Sequence, residues 1–309
     1  MSRKLISFDW AMKKLLRSKA NFEILEGFMS ELLKDDIQIL EILESGSNKD
    51  SSQDKSNQVD LKVKNQKGEI IIIEVQYQRE YDYLQRVLFG TSKVITEHLS
   101  KSEPYSKVIK VISVNILYFN LGQGVDYVYY GMTSFQGLHH QDILGLSKEQ
   151  KALYQKHTIQ EIFPEYYLIK VNSFDDMAKD TLDEWIYFLK NEEIKEDFKA
   201  KGLKKAKQEL DILKLPEKER LAYERYQDDL HYQASMVESS YTVGMKKGME
   251  KGRKEGKEEG RKEGKEEGKK ERDIEIARNL LSADVLDIQM VAQMTGLTLK
   301  EVEKIKFSL

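Results

Sequence analysis

Two carboxylates, Asp60 and Glu74, are the side chains of this sequence best placed to do chemistry. They lie in Val59-Asp60-Leu61 and in Gly68-Glu69-Ile70-Ile71-Ile72-Ile73-Glu74-Val75-Gln76. Four consecutive isoleucines mark a strand buried on both faces. A carboxylate at the end of so apolar a strand is costly to bury unless something cationic compensates it. A divalent metal is one such partner. The alternative is a carboxylate pair at a strand edge, solvated and idle.

The turn between the two segments decides whether they meet. It contains Asn65, Gln66, Lys67 and Gly68. A three-residue hairpin loop is usually a type I turn followed by a left-handed residue, most easily glycine. With Gln66, Lys67 and Gly68 as the loop, Asn65 faces Glu69, and counting outward sets Asp60 opposite Glu74. Opposed side chains share a face and lie roughly 5 Å apart at Cβ. Gln76, two residues on, shares that face. Two hard oxygen donors at that spacing suit Mg2+, which keeps several waters.

The elements around this hairpin follow from apolar periodicity. Helices are predicted over 8–18 and 20–34, then a strand over 37–43. Residues 44–58 carry no apolar side chain and read as a mobile loop. After the hairpin come a helix over 79–101, a buried strand over 108–119, further strands over 125–135 and 166–171, and an amphipathic helix over 175–190. Residues 196–242 read as helical, broken at Pro216. His139 and His140, with no third spaced ligand, read as polar surface rather than a zinc site.

Composition narrows the function classes. The chain has 309 residues, 40% of them apolar and 33% charged, with a formal net charge of −3 and no cysteine. Disulfides, thiolate zinc sites and cysteine nucleophiles are excluded. Bulk charge does not announce a nucleic-acid binder. No apolar run approaches the roughly 18 residues of a membrane span, and MSRKLISFDW lacks an apolar signal core. The expectation is a cytoplasmic protein without a membrane partner.

From Gly244 to Gly268 a glycine recurs every fourth residue. Arg253, Lys257, Arg261, Lys265 and Lys269 form a basic register, and Glu255, Glu259, Glu263, Glu267 and Glu271 an acidic one. Each glycine costs a helix about 1 kcal/mol relative to alanine. A period of four drifts about 40° per repeat, so the glycines spiral instead of forming one seam. The segment reads as a mobile helix, either a solvated spacer or a self-associating stalk. Residues 273–309 regain apolar periodicity, and VAQMTGLTLKEVEKI has a helix-turn-helix outline. A small helical cap or dimerisation knob reads equally well.

The order helix, three strands, helix, strand, with Asp60 on the second strand and Glu74-Val75-Gln76 closing the third, resembles the PD-(D/E)XK nuclease superfamily. More narrowly, the chain resembles the recombination-promoting nuclease / putative transposase family. DWAMKKLL at 9–16, VDLKVKNQKGEIIIIEVQ at 59–76, Arg86 with FGTSKVITEHL, WIYFLKN, ERLAYERYQDDLHYQASMVESS and the glycine-repeat tail carry that resemblance. It implies an α/β restriction-endonuclease-like core (αβββαβ) with a helical C-terminal extension. The expected division is a nuclease-like domain over 1–175, a helical region over 176–243, the repeat over 244–272 and a small helical segment over 273–309.

The resemblance also implies roles. Asp60, Glu74 and the backbone carbonyl of Val75 would hold Mg2+, with Mn2+ as the alternative ion. Gln76 stands where the wider superfamily has lysine. Asp9 and Lys13 match the family's first motif, as an outer metal ligand and a replacement cation, or else form a plain surface i, i+4 pair. Arg86 and Lys93 would hold the DNA backbone. The implied activity is metal-dependent DNA endonuclease action with low sequence specificity, linked to recombination or transposition, in a chain that forms homo-oligomers if its C-terminal region assembles. A transposase-derived DNA-binding or assembly protein that no longer cuts is the alternative.

Overall fold

The run Ile70–Ile73 sits where its composition requires, in the middle of a sheet covered on both faces. The structure, a computed structural model, describes residues 5–43, 60–283 and 286–309, so the polar stretch 44–58 lies outside the described residues. The chain divides into two units, Met1–His231 and Tyr232–Leu309. In chain order the first unit holds α1 (Phe8–Lys14), a 3-10 turn at Lys19–Asn21, α2 (Phe22–Leu33), β1 (Ile39–Leu43), β2 (Leu61–Asn65), β3 (Ile70–Gln76), α3 (Tyr83–Glu97), β4 (Val111–Leu117), β5 (Val128–Gly131), α4 (Lys148–Tyr154), β6 (Glu165–Lys170), α5 (Thr181–Asn191), α6 (Leu203–Glu209) and the first turns of α7 (Glu217–Ser282).

The six strands form one mixed sheet in the order β1-β2-β3-β4-β6-β5. β3 pairs antiparallel with β2 and parallel with β4, and β4 pairs parallel with β6. Ile71 and Ile73 enter the main core with Phe8, Phe28, Trp185 and Phe188, whereas Ile70 and Ile72 pack with Val94 and Val111. Both faces of β3 are thus dry. Each of these side chains contributes about 1.5–3 kcal/mol on burial.

The hairpin adopts the register that Gly68 dictates. Leu61 faces Ile73 and Lys64 faces Ile70. The Asn65 N–H donates to the Glu69 carbonyl at 3.0 Å, and the Gly68 N–H donates to the Asn65 carbonyl at 3.0 Å. Gly68 has φ +75°, the left-handed value that closes a three-residue loop. Asn65 Oδ1 accepts from the N–H groups of Lys67 and Glu69, which locks the turn.

Helix boundaries differ from the sequence reading at several places, each with a local cause. α1 stops at Lys14 and α3 begins only at Tyr83. α5 begins at Thr181, where Asp180 caps it by accepting from the Asp183 N–H. Residues 196–202 are not helical: the N–H groups of Lys199 and Ala200 donate to Glu184 Oε2, and Gly202 has φ +84°.

That bend brings backbone against backbone. A Cβ on Gly27 of α2 would lie 2.2 Å from the Lys201 carbonyl oxygen and 2.7 Å from Gly202 Cα. Gly27→Ala is therefore expected to lower the thermal midpoint, with a cost of about 1–3 kcal/mol or more for the forced shift. An unchanged midpoint would mean that α2 and residue 201 are not held in this contact.

In the second unit α7 remains helical through the glycine repeat to Ser282, and a Cβ added at any glycine from Gly244 to Gly268 would meet nothing within 4 Å. The repeat is therefore a helix without close packing at its glycines. Beyond it, α8 (Ile288–Thr295) and α9 (Leu299–Phe307) pack with Ala277 and Leu281 through Val291, Leu297, Val302 and Ile305. Asp287 caps α8, a Thr298–Glu301 capping box opens α9, and Gly296 at φ +73° makes the turn between them.

Candidate active site

Asp60 lies one residue ahead of β2, where the hairpin register continues toward Glu74. Its Oδ2 accepts from the Val75 N–H at 2.8 Å, and its backbone carbonyl accepts from Arg17 Nη2 at 2.9 Å. The carboxylate is thereby fixed at the end of β3. The Lys13 ammonium stands 3.6 Å from Asp60 Oδ1 and 2.8 Å from Asp9 Oδ1. So α1 brings Asp9 and Lys13 to the hairpin. They are not a plain surface pair, because the Asp9 side chain is 1% exposed.

Asp9 also accepts from the Tyr226 hydroxyl of α7. Tyr226 in turn lies near Tyr77, which stacks on Tyr118 with ring centroids 4.4 Å apart. Burial pushes the Tyr226 and Tyr77 hydroxyls up, and the Asp9 charge adds to the effect. They remain neutral donors. Burial works against the charge of Lys13, but Asp9 and Asp60 outweigh it and hold the ammonium above its ordinary pKa.

Glu74 is less well served. Its side chain is 8% exposed, and Oε2 accepts no hydrogen bond among the described residues. Arg86 Nε lies 3.9 Å from that oxygen, too far for a hydrogen bond. Burial pushes the Glu74 carboxyl up to about 7; Arg86 pulls it down, and the charges of Asp60 and Glu80 push it further up. Burial also raises Asp60, against the Val75 N–H and Lys13, which favour its ionised form. One buried carboxylate whose Oε2 accepts no hydrogen bond, beside a second raised carboxylate, is a place where Lys13 and Arg86 only partly offset the cost of burying charge.

Gln76 and Arg86 turn to a residue that the sequence did not single out. Gln76 Nε2 donates to Glu80 Oε1 at 2.8 Å, and Arg86 Nη1 donates to the same oxygen at 2.7 Å. Glu80 sits in the loop between β3 and α3, and nothing in its sequence context marks it. Lys93, two turns beyond Arg86 on α3, takes no part in this network among the described residues. Arg17, Glu80 and Tyr226 are thus additions to the sequence-based set. Only Tyr226 had a signal, its place in the ERLAYERYQDD stretch.

A family model described as PD-(D/E)XK nuclease family transposase matches residues 6–240, more than two thirds of the chain. The chain belongs to the PD-(D/E)XK nuclease family transposases. No curated protein and no solved structure matches it. Membership in the PD-(D/E)XK nuclease family transposases points to nuclease or transposase-related activity and so to DNA. The first unit, with its mixed α/β sheet, is consistent with that family's fold. No helix among the described residues is long and apolar enough to cross a membrane.

The donor set fits a hard divalent ion of low protein-ligand count. No group of three or more His, Asp or Glu placed to hold a metal occurs among the described residues. A calcium-type cage of such side chains is not built among the described residues. Mg2+ needs less, commonly one or two carboxylates with waters filling the remaining positions.

Proposed function

We propose that this PD-(D/E)XK nuclease family transposase is a Mg2+-dependent DNA endonuclease with little sequence preference, its core being the α2-β1-β2-β3-α3-β4 segment. The observation that supports this reading most is Glu74: a nearly buried carboxylate raised to about 7, with an oxygen that accepts no hydrogen bond, beside the fixed carboxylate of Asp60. Asp60, Glu74 and the Val75 carbonyl would hold the ion, and Mn2+ would serve in its place. Mg2+ held there supplies charge to polarise the scissile phosphate and acidity to a water in the site.

The chain's own residues supply the rest. Lys13, kept charged by Asp9, places an ammonium beside Asp60, where it stabilises negative charge developing on the phosphate. It takes the place of the superfamily lysine that Gln76 replaces. Arg86 and Lys93 on α3 hold backbone phosphates, contacts that position DNA but do not read its sequence. Gln76 offers an uncharged hydrogen bond. The C-terminal helices are the part that would add target choice or assemble copies of the chain, and a link to recombination or transposition follows from the family.

The test is incubation of the full chain with supercoiled plasmid. Nicked circles are expected in Mg2+ and in Mn2+ and none in EDTA. DNA retained without cutting in any of the three would favour a DNA-binding protein that has lost catalysis.

A further inference from the structure

Arg86 and Gln76 are both engaged within the chain. Glu80 Oε1 accepts from Arg86 Nη1 at 2.7 Å and from Gln76 Nε2 at 2.8 Å. The donors bound to that carboxylate are not free for a DNA phosphate while it stays. One oxygen bound at once by a guanidinium and a carboxamide, beside a carboxylate pair, is the arrangement a phosphate oxygen would take. Guanidinium groups favour carboxylate and phosphate alike, in similar geometry.

We propose that Arg86 and the Gln76 amide form a phosphate subsite, and that Glu80 occupies it as an internal stand-in until a DNA backbone phosphate displaces it. The inference rests on the nuclease reading and adds the step by which substrate enters. Glu80 is suited to leave. It lies in the six-residue connection between Gln76 and Tyr83, and its side chain is 31% exposed, against 8% for Glu74. Exchange of one anion for another keeps Arg86 paired throughout. With Glu80 in place, Arg86 Nε lies 3.9 Å from Glu74 Oε2 and Gln76 Nε2 donates to Glu80 Oε1. Glu80 is thus a positioning residue that acts through Arg86 and Gln76.

The test measures binding of a labelled DNA duplex to the full chain in Ca2+, with wild type, Glu80→Gln, Arg86→Ala and the double variant compared. Glutamine keeps the length and the acceptor but loses the charge that competes with phosphate. Glu80→Gln is expected to bind about fivefold more tightly, and in Mg2+ to show a lower KM with kcat little changed. The gain should vanish in the Arg86→Ala background, because the competition is for Arg86. Equal or weaker binding by Glu80→Gln overturns the proposal. So does an equal gain in the Arg86→Ala background, which would make Glu80 only a repelling surface charge. Failure of wild type to bind or nick DNA at all would instead strike the nuclease reading, and the stand-in role with it.

Discussion

Glu74→Gln should abolish plasmid nicking and yet make the metal-free protein more stable above neutral pH. Loss of one of two anionic ligands from an ion that uses few protein ligands is expected to cost about 100-fold or more in rate. The stability gain has a separate origin. Glu74 titrates at about 7 in the folded chain against 4.5 for an ordinary glutamate, chiefly because burial disfavours its charge. The folded state therefore holds a proton that the unfolded chain has already released. The stability contributed by the protonated carboxyl is complete below about 4.5 and is lost as pH rises through about 7. At pH 8 the wild type carries that deficit and the glutamine variant does not. The ceiling is about 3 kcal/mol, because a tenfold difference in proton affinity is worth about 1.4 kcal/mol. Urea unfolding at pH 5 and pH 8 in EDTA would show wild type losing stability over that interval relative to Glu74→Gln. Parallel curves would mean that Glu74 ionises without strain and does not call for a cation. Mg2+ should reverse the order: it binds the ionised site and stabilises only the wild type, more strongly as pH rises through about 7.

Lys13→Met should act with the opposite sign on stability. The Asp9 carboxylate is 1% exposed, and its charge is met by Lys13 and by the Tyr226 hydroxyl. Removing one partner of a buried pair typically costs about 3–5 kcal/mol. Lys13 is itself 38% exposed, so solvent moderates the loss, and about 2–3 kcal/mol is expected. Asp9→Asn in the Lys13→Met background should recover most of it, because the uncompensated charge is then gone. Nicking should stay low in both variants, since the ammonium beside Asp60 is missing. Denaturant unfolding of the three proteins checks this. A Lys13→Met protein as stable as wild type would show that the α1 pair is superficial. Two carboxylates of one site, Glu74 and Asp9, thus respond in opposite ways because one is short of positive charge and the other is supplied with it.

The hairpin was legible in the sequence because its determinants are local. Gly68 is needed for the left-handed turn, Asn65 for its hydrogen bonds, and the isoleucine run for burial on both faces; together they fix the register that sets Leu61 opposite Ile73 and brings Asp60 to the end of β3. Asp9 and Lys13 were legible as a one-turn pair, but the burial of Asp9 was not, because the side chains that cover and bond it include Tyr226, 217 positions away. Glu80 was illegible for a related reason. Its reach to Arg86 and Gln76 depends on the path of a short loop, and no periodicity encodes that path. The break in helix at 196–202 escaped the pattern because a single acceptor on α5, Glu184, captures two backbone N–H groups there. Helical periodicity continues across such a bend, whereas the backbone does not.

We propose that Asp60 and Glu74 hold the ion on which DNA cleavage depends. The most direct measurement sets wild type and Asp60→Ala side by side on supercoiled plasmid at equal concentration, in Mg2+ and in EDTA. Both proteins should melt as folded chains. Nicked circles are expected from wild type in Mg2+ alone, and none from Asp60→Ala in either buffer. Nicking by Asp60→Ala at the wild-type rate, or by wild type in EDTA, would contradict the account.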